Sequence, residues 1–290
     1  MKSRIDWQGH RGSRGTMPEN TIPSFITAID HGVSTIELDV VLSGDGEVVV
    51  SHEPFFSSII SSPPHGGAID STNERSFNIY KMTMEEISKW DVGSKDHPVF
   101  KEQRKAFASK PTLKQTFLEV ENHIQTNNLK PINYSIEIKC FEETERDFHP
   151  DPVTFTNKVI DEIMTAGMLD RTIIQAFDRR VINVVKSTNP KLKCSFLFQD
   201  DYKNIIEEIE KLEHKPDIFG PQYKLVDKKL VDYCHDKEIM VIPWTVNEKS
   251  SIIELISIGV DGIISDFTNW IDEFQSFFDE FEITIAPISI

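Results

Sequence analysis

Cysteine is the rarest residue in the chain. The three present, Cys140, Cys194 and Cys234, lie far apart with no Cys-x-x-Cys spacing. That excludes a zinc ribbon and a disulfide framework, leaving three buried free thiols as the expectation. No apolar run approaches the roughly 18 residues that a membrane span needs. No signal peptide is expected, because Met1-Lys2-Ser3-Arg4 runs straight into the first motif. A soluble protein follows, cytoplasmic, or periplasmic or secreted if a signal has been removed. Positive charge is short, with 31 Lys and Arg against 47 Asp and Glu, a net −16. Such a chain is a poor partner for nucleic acid or an anionic membrane. Internal repeats, low-complexity tracts and linkers are also missing.

What remains is an alternation of short apolar runs with longer helix-period segments, the pattern of a parallel sheet covered by helices. Eight runs read as strands: Ile5–His10, Thr35–Val41, Tyr134–Lys139, Thr172–Phe177, Cys194–Phe198, Asp217–Gly220, Met240–Trp244 and Gly262–Ser265. Helices are expected over Asn20–His31, ended by Gly32, and near Leu113–Thr126, Pro152–Ala166, Asp178–Lys186, Tyr202–His214, Val226–His235, Glu248–Ile258 and Thr268–Phe278. Eight such alternations in about 250 residues match a TIM (β/α)8 barrel. An open doubly wound sheet is the alternative. It usually carries a GxGxxG loop, and Gly12-Ser13-Arg14-Gly15 lacks that form. Ser43-Gly44-Asp45-Gly46 signals a turn into a returning strand, Glu47–Val50. The stretch from Pro54 to about Lys110, with a short helix near Thr83–Lys89, breaks the barrel period. It reads as a small inserted lobe over the barrel mouth, within a single domain spanning 1–290.

Side chains two apart on a strand share a face. Glu37 and Asp39 therefore point one way, as do Glu137 and Lys139 in Ile-Glu-Ile-Lys. At the C-terminal ends of barrel strands, three carboxylates would converge and repel. A hard divalent cation, Mg²⁺, Mn²⁺ or Ca²⁺ rather than zinc, relieves that repulsion. The alternative is a set of acids paired with nearby Arg and Lys. His10 ends the first strand and Arg11 follows, offering a proton carrier beside a bidentate phosphate clamp. His52 closes the hairpin near the same rim, so one imidazole can serve as base and the other as acid. Glu19 is either a site residue or a neighbour of a helix cap at Asn20 or Thr21. Lys139 either contacts phosphate or pairs with Glu137. Gln175, Phe177 and Trp244 read as pocket lining or as ordinary packing. Asp266 reads as a helix cap. His65, His97, His123, His214 and His235 read as surface residues.

The run Gly9-His10-Arg11-Gly12, Pro18-Glu19-Asn20-Thr21, Glu37-Leu38-Asp39-Val40, Asp45-Gly46, Val50-Ser51-His52 and Glu137-Ile138-Lys139 resembles the glycerophosphodiester phosphodiesterase family. Trp244-Thr245-Val246-Asn247 and Gly259 to Asp266 continue the resemblance in the family's order. It implies a TIM barrel with a lobe inserted after the second strand, and a divalent metal at Glu37, Asp39 and Glu137. His10 and His52 match the two catalytic histidines, and Arg11 and Lys139 match positions near the phosphate. The implied reaction takes a glycerophosphodiester to an alcohol and glycerol 3-phosphate, with Mg²⁺ or Ca²⁺ as cofactor and Mn²⁺ allowed. A homodimer stays open. Two departures stand out: Glu53 replaces the usual Asp after the second His, and Ala176-Phe177 replaces Ser-Phe. The runner-up is lipid cleavage of lysophospholipase D or sphingomyelinase D type, which would need an apolar rim such as Phe55-Phe56 and Ile59-Ile60. A catalytically dead barrel is the third reading, and the intact histidines and acids argue against it.

Overall fold

Alternation of buried β-branched strands with amphipathic helices closes here into a barrel. The structure is a computed structural model and describes residues 4–200 and 204–289. The strands are β1 (Arg4–Gly9), β2 (Thr35–Leu42), β3 (Val48–Val50), β4 (Asn133–Ile138), β5 (Thr172–Ala176), β6 (Lys193–Phe198), β7 (Ile218–Pro221), β8 (Met240–Val241), β9 (Gly262–Ser265) and β10 (Thr284–Ile285). The helices are α1 (Ile22–Asp30), α2 (Met84–Ile87), α3 (Leu113–Thr126), α4 (Pro152–Thr165), α5 (Arg179–Thr188), α6 (Ile205–Glu210), α7 (Lys228–Asp236), α8 (Lys249–Ile258) and α9 (Gln275–Glu280). Parallel pairing runs β1-β2-β4-β5-β6-β7-β8, and β9 pairs with β1. The last seam, β8 to β9, is joined by Ile264 N–H donating to Pro243 O (2.9 Å) and Val246 N–H donating to Ile264 O (2.8 Å). The result is a TIM barrel. No helix among the described residues is long and apolar enough to cross a membrane.

The strand alternation sorts the side chains. Outward positions such as Trp7, Ile36, Leu38, Tyr134, Ile136 and Phe219 bury against the helices in one large core. Inward positions split the lumen in two. One side is apolar, with Ile173, Ile218, Ile242 and Ile264 in contact. The other is polar, with Asp6, Gln8, Glu37, Asp39, Ser135, Glu137 and Gln175 all buried. The C-terminal tail plugs the floor: β10 pairs with the start of β1, Ile288 joins the lumen isoleucines, and its carbonyl accepts from Asn133 Nδ2 at 3.1 Å. Two-residue β10 carries too short a pattern to be seen in sequence.

Several boundaries shift. The regular β8 ladder stops at Val241, although Ile242 and Trp244 N–H groups still donate to Phe219 and Pro221 carbonyls. Pro243 between them has no N–H to give. The helix expected over Thr268–Phe278 is instead two 3-10 turns, Thr268–Trp270 and Asp272–Phe274, followed by α9. That expected from Tyr202 to His214 is α6 alone, and Tyr202 lies outside the described residues. All three cysteines are buried and free.

Between β3 and α3, Phe56, Ile79, Ile87, Trp90 and Val92 pack on Val41 and Val49 of the hairpin. Phe56 and Trp90 stack with centroids 4.0 Å apart, and Thr83 and Glu86 form a reciprocal capping box on α2. His97 is buried in this segment at 6 % exposure, its Nδ1 accepting from the N–H groups of Val99 and Phe100. That corrects its expected surface position: the ring caps a turn rather than meeting water.

Candidate active site

The loop after β1 builds one wall. Arg11 and Gly12 both have positive φ, 51° and 85°. This is a left-handed turn that costs a non-glycine residue about 1 kcal/mol or more. A Cβ at Gly12 would stand 2.5 Å from Ser24 Oγ, so only glycine fits. The turn aims the Arg11 N–H at Glu37 Oε2 (2.8 Å). The Arg11 guanidinium donates to Glu19 Oε1 (2.7 Å) and sits 3.4 Å from Asp39 Oδ2, while Arg14 binds the other Glu19 oxygen at 2.6 Å. Burial works against charge on Glu19, but the two arginines outweigh it and hold the carboxyl well below the usual range. Glu19 therefore reaches the site through Arg11. Thr21, rather than Asn20, caps α1. Asn20 instead donates to Asp39 Oδ2 at 2.8 Å.

Strand register builds the acidic floor. Asp39 lies beside Glu137, and Glu137 beside Gln175, across β2, β4 and β5. Oxygens of Glu37, Asp39 and Glu137 lie within 4.8 Å of one another. Burial, then the charges of Asp39 and Glu137, push Glu37 well above the ordinary carboxyl range. Burial also raises Glu137, against the pull of Lys139. Asp39 is held low: His52, Arg11, Lys139 and the Asn20 hydrogen bond together outweigh its burial. Lys139 Nζ donates to Glu137 Oε1 at 2.7 Å and stands 3.7 Å from Asp39 Oδ1. Asp39 Oδ1 is buried without a hydrogen-bond partner. Three crowded carboxyl groups, all oxygen donors, one with an orphaned oxygen, fit a hard divalent cation.

Each histidine has its own carboxylate. His10 Nδ1 donates to Asp266 Oδ1 at 2.7 Å, and His52 Nδ1 donates to Glu53 Oε1 at 2.7 Å. A charged carboxylate can only accept, so both Nδ1 atoms carry a proton, and it is Nε2 that is left to take up or give one. The longer Glu53 side chain still reaches its histidine. Asp266 is not a helix cap, because the turn after it starts at Thr268 with Phe267 in the cap position. Its second oxygen accepts from Asn247 Nδ2 at 2.6 Å. Burial alone would raise the Asp266 carboxyl, but His10, Arg14 and Asn247 overcome it and hold it low. Burial is the largest influence on His10 and keeps its imidazole below the usual range, against the pull of Asp266.

His10, His52, Arg11, Glu37, Glu137 and Lys139 share the wall of one cavity of about 340 Å³ at the C-terminal mouth of the barrel. Gln175 lines it and donates to Glu37 Oε1 at 2.8 Å. Phe177 and Trp244 form its apolar side, edge to face at 5.4 Å. Sequence reasoning missed Asp266 in its orienting place, Arg14, Phe141, Gln199 and Thr245, which also line or support this cavity. For Arg14 the available signal was its position in the same loop as Arg11.

The sequence profile of the Glycerophosphoryl diester phosphodiesterase family matches residues 10–270. A glycerophosphodiester phosphodiesterase from Caldanaerobacter subterraneus subsp. tengcongensis is 30% identical over 257 residues, covering 89% of this chain and 92% of that protein. A Bacillus subtilis glycerophosphodiester phosphodiesterase is 26% identical, covering 94% and 86%. Among solved structures, an Oleispira antarctica phosphodiesterase in complex with the product sn-glycerol-3-phosphate superposes with a TM-score of 0.72. It is 22% identical and covers 92% of this chain and 95% of that one. A Thermotoga maritima glycerophosphodiester phosphodiesterase superposes with a TM-score of 0.65 at 21% identity, covering 93% and 98%. The match over nearly the whole chain places this protein in the glycerophosphoryl diester phosphodiesterase family, phosphoric diester hydrolases built on a TIM barrel.

Proposed function

We propose that this protein hydrolyses glycerophosphodiesters to an alcohol and glycerol 3-phosphate, with His10 and His52 moving the protons and Glu37, Asp39 and Glu137 holding a divalent cation. One observation carries the reading: two imidazoles, each oriented by its own carboxylate, face the cavity that Glu37 and Glu137 line, with Asp39 clustered behind them. When bound, the cation would neutralise phosphoryl charge and fix the reacting oxygens. Arg11, always charged, clamps the phosphoryl oxygens from the loop side, and Glu19 and Arg14 keep it aimed. Lys139 adds a second positive group, on the other oxygen of Asp39. One Nε2 accepts the proton of the attacking hydroxyl, and the other imidazole, protonated, delivers one to the departing alkoxide. Phe177 and Trp244 shelter the carbon skeleton of the substrate from water. The glycerol 3-phosphate held by the Oleispira antarctica protein supports the product assignment.

The lipid alternative gains little. Of the four residues that would form its apolar rim, Phe55 and Phe56 are buried at 6 % and 0 %, Ile60 is half-buried and Ile59 alone is exposed. The test is release of glycerol 3-phosphate from a panel of glycerophosphodiesters with Mg²⁺, Mn²⁺ or Ca²⁺, beside lysophosphatidylcholine. Turnover of the water-soluble diesters that falls by about 10²–10⁴ in His10→Ala and in His52→Ala is expected. Failure to cleave any of them in any of the three metals would overturn the proposal.

A further inference from the structure

A second cavity, of about 160 Å³, adjoins the first and shares Arg11, Arg14 and His52 with it. Its far side comes from the segment between β3 and α3, including Ile59, Val99 and Lys110. Lys110 is buried, at 4 % exposure. Its Nζ donates to Ser51 Oγ at 2.7 Å and lies 5.5 Å from the centre of the Phe56 ring. Unlike Arg11, Arg14 and Lys139, which also line the two cavities, it has no carboxylate ion-pair partner among the described residues. Glu19 is taken by Arg11 and Arg14, and Glu53 by His52. An ammonium has three N–H donors, and here one is used. A buried, uncompensated charge is costly to maintain. Burial accordingly lowers the Lys110 amine to about 8, with Glu19 and Glu53 pulling the other way from beyond contact distance.

The two cavities meet where Arg11 and His52 stand, so a phosphoryl group gripped there has one ester arm in each. The hydroxyl-rich glyceryl arm suits the larger cavity, with its amide side chains and acids. The smaller one has apolar walls at Ile59, Ile60 and Val99, two carboxylates, Glu19 and Glu53, that are already paired, and one ammonium, Lys110, without a paired carboxylate. We propose that the second cavity receives the departing alcohol, and that Lys110 selects alcohols carrying a carboxylate or similar anion. This assignment rests on the glycerophosphodiester hydrolysis proposed above. Neither histidine's role changes with it.

Glycerophosphoserine and glycerophosphoethanolamine differ by one carboxylate, so their ratio isolates the contact. The wild-type enzyme should show a kcat/KM at least about tenfold higher for the serine diester, as expected for a charge-assisted hydrogen bond. Lys110→Met should bring the ratio close to one, and Lys110→Gln, which keeps the bond to Ser51, should do the same. A binding arm works without turnover: calorimetry of phosphoserine against phosphoethanolamine should give the same tenfold preference in wild type and its loss in both variants. If no diester is cleaved but the phosphoserine preference holds, the subsite stands and the hydrolysis reading falls. Equal binding of the two compounds by the wild-type protein, or a preference that survives Lys110→Met, overturns the subsite.

Discussion

Replacing Asp266 by Asn is the sharpest probe of how the site handles protons. The substitution keeps size and shape but exchanges an acceptor for an amide whose orientation is already decided. Asn247 Oδ1 accepts from the Asp266 backbone N–H at 3.0 Å and from Ser265 Oγ at 3.3 Å, so the Asn247 amide must turn its NH₂ toward residue 266. An Asn at 266 would answer with its oxygen and point its own NH₂ at His10 Nδ1. That forces Nδ1 to accept and moves the imidazole proton to Nε2. A His10 that is to act as base then has no lone pair facing the cavity. One that is to act as acid has lost the carboxylate that stabilises its imidazolium. The outcome is loss of rate whichever role His10 plays.

The magnitude has a floor and a ceiling. A buried hydrogen bond to a charged partner contributes about 1.5–3 kcal/mol, which sets a loss of roughly 10- to 150-fold in kcat/KM from the missing charge alone. The wrong tautomer extends this toward the full worth of a general acid or base, about 10²–10⁴. Asp266→Ala, which leaves Nδ1 free to choose its tautomer, should therefore be less damaging than Asp266→Asn. The pH profile adds a signed test. Asp266 pulls the His10 pKa upward against burial, so removing its charge shifts the His10 limb of kcat/KM to lower pH. Steady-state rates from pH 5 to 9 on both variants decide the matter. An Asp266→Asn enzyme within threefold of wild type, with an unmoved profile, would refute the dyad.

His52→Ala should cost about 10²–10⁴ in kcat. Glu53→Gln should cost only about fivefold, because Glu53 is 40 % exposed and its interaction is screened; a Glu53 loss exceeding that of Asp266 would contradict this ranking. A divalent cation at a hundredfold excess over its dissociation constant should stabilise the wild-type fold by about 2.7 kcal/mol. Asp39→Ala should abolish that gain in calorimetry, and a wild-type melting point indifferent to chelator would count against the cation site. Asp6, buried on the floor of the barrel, has its carboxyl raised by burial despite hydrogen bonds from Ser34, Thr35 and Gln8. A raised folded pKa means stability present below the unfolded pKa of about 3.9 and lost as pH rises through the folded value. Asp6→Asn removes that loss, and the partnerless Gln8 Oε1 can turn to accept the new amide. Denaturant melts should show the variant gaining on wild type as pH rises above about 4, and a parallel pH dependence of the two would refute this.

Period-two strand patterning made the acid floor legible, because Glu37 with Asp39 and Glu137 with Lys139 needs only the pleat to put each pair on one face. Their convergence needed more, namely the register that sets Asp39 beside Glu137, and register is a property of two strands that neither sequence segment contains. Asp266 is the instructive miss. Read locally, an acid between a strand and a turn is a cap. A closed barrel, however, makes its first and last strands neighbours, and the ladder pairs Gly9 with Ser265. The residues that follow, His10 and Asp266, then meet through their side chains. The partner of His10 was thus implied by the fold already inferred, had closure been followed to its consequence. Lys110 and His97 carried no such signal. Their burial depends on how an irregular segment folds over the mouth, held by contacts such as Phe56 on Trp90 that obey no period. Barrel chemistry follows strand arithmetic, whereas Lys110, proposed here to distinguish one substrate from another, hangs on the irregular segment, where that arithmetic stops.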